Sequence, residues 1–149
     1  MKERIKINKD AIFIDTSGFI AAIREDDQFF RIASVYFNDI LKRKLDIITT
    51  NLIISETYPL IYRMSCYKVA MKFLDIIKEA TKEGFLNVIF LQREHDQKIY
   101  ETLVKYNDQD LSYVDASSFI IMRDLNIKKV FGFDKHFRVG GFYLVPEGV

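Results

Sequence analysis

Short apolar runs that alternate with helical patterns restrict this chain more than any other feature of its sequence. "AIFI" at 11–14 is β-branched and aromatic with no polar alternation, as in strands buried on both faces of a parallel sheet. "DIITT" and "LNVIFL" read as further strands, and "KKVFGF" and "FYLVP" close the chain as two more. Between them, "FFRIASVYFNDILKR" spaces Phe30, Ala33, Phe37, Ile40 and Leu41 as a helix does. "NLIISETYPLIYRM" predicts a helix bent or interrupted near Pro59, whose ring and missing N–H disfavour a regular interior turn. "YKVAMKFLDIIKEATKEG" is the cleanest amphipathic helix, with Val69, Phe73, Ile76, Ile77 and Ala80 on one side and Gly84 as its stop. Arg93 to about Tyr106 and "SYVDASSFIIMRDLNI" are also helical. Strands separated by helices of this length imply an α/β fold with a mainly parallel sheet covered on both faces. Sites in such sheets form outside the carboxyl ends of the strands, where the strand order reverses.

A chain of 149 residues has single-domain length, and no linker, low-complexity tract or repeat divides it, so one domain over 1–149 is expected. Basic and acidic side chains number 22 and 21, so the overall field cannot hold a polyanion and any such binding charge must be local or metal-borne. Cys66 is the sole cysteine, which excludes an internal disulfide and a Cys-based structural zinc site and suits a reducing compartment. The start, "MKERIKINKDAIFID", is basic, but its apolar stretch is short and interrupted by Asp15, unlike a secretory leader. No stretch approaches the roughly 20 apolar residues of a membrane span. A soluble, cytoplasmic protein with no membrane partner is therefore expected.

Four acids stand in unusual places. Asp15 directly follows the first strand and Asp134, in "KKVFGFDKHF", follows a later one, so both should surface at the same sheet edge. Each is open to an ordinary reading as a helix N-cap or turn residue. Glu56 has Leu52, Ile53, Pro59 and Leu60 as its helical neighbours, which places a carboxylate on an apolar face. Burying it unpaired costs several kcal/mol, so it needs a cation or strong donors, and a buried ion pair with a basic residue is the structural alternative. Asp115 lies three residues after Ser112, as in a capping box, yet its helix face continues through Ser118, Phe119 and Met122 toward the core. Clustered carboxylates repel one another and raise each other's pKa unless a cation sits among them. Hard oxygen ligands without a Cys/His cluster point to Mg²⁺ or Mn²⁺ rather than zinc.

Taken together, "FIDTSGFIAA", "TTNLIISE", "DLSYVDASSFIIMRDLNI" and "VFGFDKHFRVGGFYLVP" resemble PIN-domain ribonucleases, especially the stand-alone VapC-like toxins of toxin–antitoxin pairs. The similarity runs essentially end to end, and the order and spacing of the acids make it specific. It implies a three-layer α/β/α sandwich with a central, mainly parallel sheet. It also implies divalent-metal-dependent hydrolysis of RNA, with Asp15, Glu56, Asp115 and Asp134 as the metal-binding and catalytic acids. Partners implied by the resemblance are an RNA substrate, a small inhibitory antitoxin protein and a second copy of the chain in a homodimer. The sequence departs from the family at Gly132, where a Thr or Ser is common.

Other residues carry weaker signals. Arg123, Lys128, Lys129, Lys135 and Arg138 lie near the last two acidic motifs and are candidates for phosphate contacts, which would make binding salt-sensitive. Ser17 can add a polar group beside Asp15 or bond the local backbone. Tyr113 can stack a base or simply pack. His136, with no second His or nearby Cys, reads as structural or RNA-proximal; His95 is expected to face water, and Cys66 to be a buried or incidental thiol. Two rival functions remain open: a phosphatase or phosphotransferase with Asp15 as nucleophile, and a non-catalytic PIN-like module that binds RNA or protein.

Overall fold

The structure is a computed structural model that describes residues 6–146, so the basic beginning at 1–5 lies outside the described residues. Strands β1 (Ile12–Ile14), β2 (Ile47–Thr50), β3 (Leu86–Ile89), β4 (Lys129–Phe131) and β5 (Tyr143–Val145) form one sheet in the order β3-β2-β1-β4-β5, every pair parallel. Seven helices among the described residues connect them: α1 (Thr16–Ile23), α2 (Phe30–Lys42), α3 (Asn51–Met64), α4 (Tyr67–Lys82), α5 (His95–Lys105), α6 (Tyr113–Asp124) and α7 (His136–Val139). Right-handed crossovers place α1 to α4 over one face and α5 to α7 over the other. The helix contacts follow this division: α1 packs on α2 and α3, α3 on α4, and α6 on α5 and α7. An additional α3–α6 contact joins the two groups.

The chain builds outward from β1 to β3 and then returns to lay β4 on the other side of β1. The order therefore reverses at β1, and the crevice between the carboxyl ends of β1 and β4 is the expected site position. All residues of β1 and β2 are buried, as strands of a doubly covered sheet are, and the polar Thr49 donates its hydroxyl to the Ile14 carbonyl at 3.0 Å. Phe13, Phe73, Phe119, Phe131 and Phe137 are the largest side chains fully enclosed in the core. Phe19 meets Phe73 edge-on at 5.2 Å, which fastens α1 to α4.

Helix α1 reaches the sheet through Gly18, where a Cβ would overlap the Phe131 carbonyl oxygen and stand 3.1 Å from Ile14 Cγ1. A Gly18→Ala change gains about 1 kcal/mol of helix propensity but pushes α1 off β4, at a cost of about 1–3 kcal/mol for overpacking. The second effect should win because a strand carbonyl cannot move aside. A lowered denaturant midpoint is the expected result, and a raised one would show that the close approach does not constrain the fold.

Three features differ from the sequence expectations. α3 runs unbroken through Pro59. The carbonyl deprived of its partner N–H belongs to Ser55, which is exposed and can turn to water, while Thr57 and Ile61 hold the flanking turns in the core. Ile76 is 44% exposed, because Ala70, Phe73, Ile77 and Ala80 alone complete the inner stripe of α4. The four-residue α7 was not anticipated, since a single turn offers no periodicity to read. Gly84 does terminate α4, with φ at +87°, a value that favours glycine. No helix among the described residues is long and apolar enough to cross a membrane.

Candidate metal centre

The β1–β4 register pairs Ile14 with Phe131, so one step further along, Asp15 comes beside Gly132. Asp15 leaves the strand in an extended conformation and caps α1, its Oδ1 accepting the Gly18 N–H at 3.0 Å and the Ser17 hydroxyl at 2.8 Å. The Ser17 oxygen in turn accepts the Phe133 N–H at 2.8 Å, which clips the loop after β4 to the start of α1. A Cβ at Gly132 would overlap Asp15 Oδ1 and stand 2.9 Å from Ser17 Oγ. The space that a Thr or Ser would need at 132 is thus filled by the Asp15 carboxylate, and the hydroxyl beside that carboxylate is Ser17's.

Asp15 is 4% exposed. Burial, above all, pushes its carboxyl from the ordinary 3.8 up to about 7; the Gly18 and Ser17 hydrogen bonds pull it down, and repulsion from Asp134 and Asp115 raises it further. Asp115 occupies the first turn of α6 in a complete capping box: its Oδ2 accepts the Ser112 N–H at 3.1 Å, and its own N–H donates to Ser112 Oγ at 3.0 Å. Burial is also the main reason its pKa is raised, with Asp134 adding to it. Asp134 accepts the His136 N–H at 3.0 Å through Oδ1, which starts α7. The His136 ring then turns back, with Nδ1 3.0 Å from Asp134 Oδ1 and 3.6 Å from Asp115 Oδ2.

The structure brings together Asp115, Asp134 and His136, whose ligand atoms all lie within 4.8 Å of one another. Asp15 stands close enough to feel both acids. Glu56 is one step removed: it is half-buried, and its Oε1 accepts the hydroxyl of Thr16, the neighbour of Asp15, at 2.7 Å. Among the described residues Glu56 has no ion pair, so the basic partner required by the structural alternative is not present.

The His136 imidazole stands beside the acids, a place that its position two residues after Asp134 in "FDKHF" could have signalled. His95 is also mostly covered rather than water-facing, with Nδ1 accepting the Gln92 N–H at 2.9 Å. Cys66 is exposed, at the start of α4. Tyr113 is exposed and donates its hydroxyl to Asp96 Oδ1 at 2.7 Å.

The five basic candidates separate. Lys128 and Lys129 sit at the amino end of β4, away from the acids, and Arg123 is engaged with the Gly140 carbonyl at 3.2 Å and the faces of Phe119 and Phe142. Lys135 and Arg138 flank His136 at the acid edge.

Capping alone does not account for Asp15. An N-cap contributes about 1 kcal/mol, and Asn or Ser supplies it without charge; burying a carboxylate next to two others costs several kcal/mol. Both recorded hydrogen bonds to Asp15 fall on Oδ1, and no basic side chain among the described residues pairs with it. A donor set of carboxylate oxygens and one imidazole nitrogen, in which the Asp15 carboxyl is paired with no cation, fits a divalent cation.

A parallel α/β sandwich with acids gathered at its switch point defines a class of metal-site domains. Within that class, the chain belongs to the PIN domain family, whose family model matches residues 12–142. It is similar to the 23S rRNA-specific endonuclease VapC20 of Mycobacterium tuberculosis, from strains CDC 1551 / Oshkosh and H37Rv, at 27% identity over 137 residues that cover 91% of this chain and 99% of the relative. It is also similar to the crystal structure of Mycobacterium tuberculosis VapC20, titled a sarcin-ricin loop cleaving toxin, with a TM-score of 0.74, 26% identity, and coverage of 88% of this chain and 95% of that one. The resemblance drawn from the sequence and the α/β sandwich it implied are both borne out.

Proposed function

We propose that this protein is a divalent-metal-dependent endoribonuclease, the toxin component of a toxin–antitoxin pair, with Asp15, Glu56, Asp115 and Asp134 as its metal-binding acids. The observation that carries this reading is Asp15, a buried carboxylate within electrostatic reach of Asp115 and Asp134 and with no side-chain cation paired to it. Membership of the PIN domain family and near full-length similarity to an rRNA endonuclease support the reaction and the RNA substrate. The same kinship supports a small antitoxin protein as partner.

Mg²⁺ or Mn²⁺ would be held among these four acids, with Glu56 also accepting the hydroxyl of Thr16, the neighbour of Asp15. Such an ion supplies Lewis acidity toward a phosphoryl oxygen and makes water a better nucleophile at neutral pH. The chain's own contribution is positional. Ser17 fixes Asp15 against the loop that carries Asp134, and the Ser112 capping box fixes Asp115. Lys135 and Arg138 offer positive charge to the RNA backbone at this edge. A phosphoryl-aspartate mechanism is disfavoured, because a nucleophile must reach its substrate and Asp15 is 4% exposed.

The test is purified protein with a panel of single-stranded and structured RNAs, a sarcin–ricin loop fragment among them, with and without Mn²⁺. Cleavage should require Mn²⁺ and weaken with rising salt. The salt slope should fall by about one when Lys135 or Arg138 becomes Ala, if either neutralises a phosphate. Cleavage that persists unchanged in chelator would overturn the proposal.

A further inference from the structure

We propose that His136 is a direct nitrogen ligand of the metal through Nδ1, and that it tilts the site toward transition ions such as Mn²⁺ and away from Mg²⁺. The inference rests on the metal-dependent reading above and adds to it a ligand and an ion preference.

The spacing is that of ligands sharing one ion. Two donors bound at about 2.1 Å and at right angles lie about 3 Å apart. Nδ1 of His136 is 3.0 Å from Asp134 Oδ1 and 3.6 Å from Asp115 Oδ2. All three donor atoms come within 4.8 Å of one another. The ring owes its place to the backbone: the His136 N–H donates to Asp134 Oδ1, and the next residue, Phe137, is buried against Phe13, Phe119 and Phe142. The imidazole is thus tethered on both sides and turned toward the acids, although it is partly exposed and water was available to it.

The chemistry follows from the donor type. Mg²⁺ takes oxygen ligands and gives up its waters reluctantly, so a nitrogen donor adds little to its binding. Imidazole suits the later first-row transition ions best, and Mn²⁺, the weakest binder of that series, still accepts it more readily than Mg²⁺ does. A set of Asp115, Asp134 and His136 should therefore discriminate between the two ions where carboxylates alone would do so less.

The protein is loaded with Mn²⁺ and examined by pulsed electron paramagnetic resonance for coupling to ligand nitrogen. The expected spectrum carries a directly bound nitrogen signal that changes isotope when histidine is supplied as the ¹⁵N form, and that disappears in His136→Gln. In competition titrations, His136→Gln should lose Mn²⁺ affinity roughly tenfold while its Mg²⁺ affinity is unchanged. The isotope experiment uses the wild-type chain, so it stands whether or not the variant folds. Bound Mn²⁺ without nitrogen coupling would overturn the assignment of His136 and leave the carboxylate site intact. Failure of Mn²⁺ to bind the wild-type protein would overturn both.

Discussion

Asp15→Asn should make the metal-free protein more stable above neutral pH while abolishing Mn²⁺-dependent cleavage. The amide is nearly isosteric and remains a good N-cap, so its oxygen can still accept from Gly18 and Ser17. Only the charge is lost. In the wild type the folded carboxyl sits at about 7, above the ordinary 3.8. The native state therefore holds its proton more tightly than the unfolded chain does. The stability this gives is complete below the ordinary value and is lost as pH rises through about 7, after which the ionised, buried group imposes its full cost, on the order of 4 kcal/mol. The variant escapes that cost. Denaturant midpoints of the two proteins should be close near pH 4 and diverge up to about pH 8, with the variant ahead. Mn²⁺ should protect the wild type increasingly through the same pH range, as it competes better with a departing proton. It should protect the variant little, and cleavage should drop by about 100-fold or more. A variant that is less stable than wild type at the higher pH, or equally protected by Mn²⁺, would remove Asp15 from the site.

Gly132→Ala is expected to damage the same place by a different route. The new methyl would overlap Asp15 Oδ1 and press on Ser17 Oγ, so the carboxylate, its hydroxyl partner and the Phe133 N–H cannot all keep their positions. Overpacking of this kind costs about 1–3 kcal/mol, and the displaced Asp15 should cost most of the Mn²⁺-dependent cleavage. Thr should be worse than Ala, even though hydroxyl residues are common here in the family. Unfolding curves and cleavage assays of both variants provide the check; wild-type cleavage by the Thr variant would show that Asp15 has room to move.

These two residues also mark how far the sequence could be read. The strand after which Asp15 falls, the capping box of Ser112 and Asp115, and the Gly84 stop were legible because each depends on neighbours along the chain. The alternation of elements announced a parallel sheet. The partnership of Asp15 with Gly132 was not legible, because it depends on which strand lies beside β1 and in what register. Gly132 looked like a missing hydroxyl and is an accommodated carboxylate. The imidazole of His136 looked solitary although Asp134 lies two residues before it, and its other partner, Asp115, approaches only through the packing of α6. Pro59 predicted a bend or an interruption, and the helix is not interrupted, because a single lost bond on an exposed turn is a small matter against two buried turns around it. The basic residues near the last acids were grouped by proximity in sequence, and the strand between them separated Lys128 and Lys129 from Lys135 and Arg138.

The central strand β1 obtains its second neighbour from residues 129–131, and Asp134 follows three residues later. During synthesis, an emerging polypeptide halted before that point would leave Asp15 without Asp134 and β1 with an uncovered flank. Synthesis must therefore pass residue 134 before Asp134 can join Asp15 and Asp115 and the group of acids can be complete.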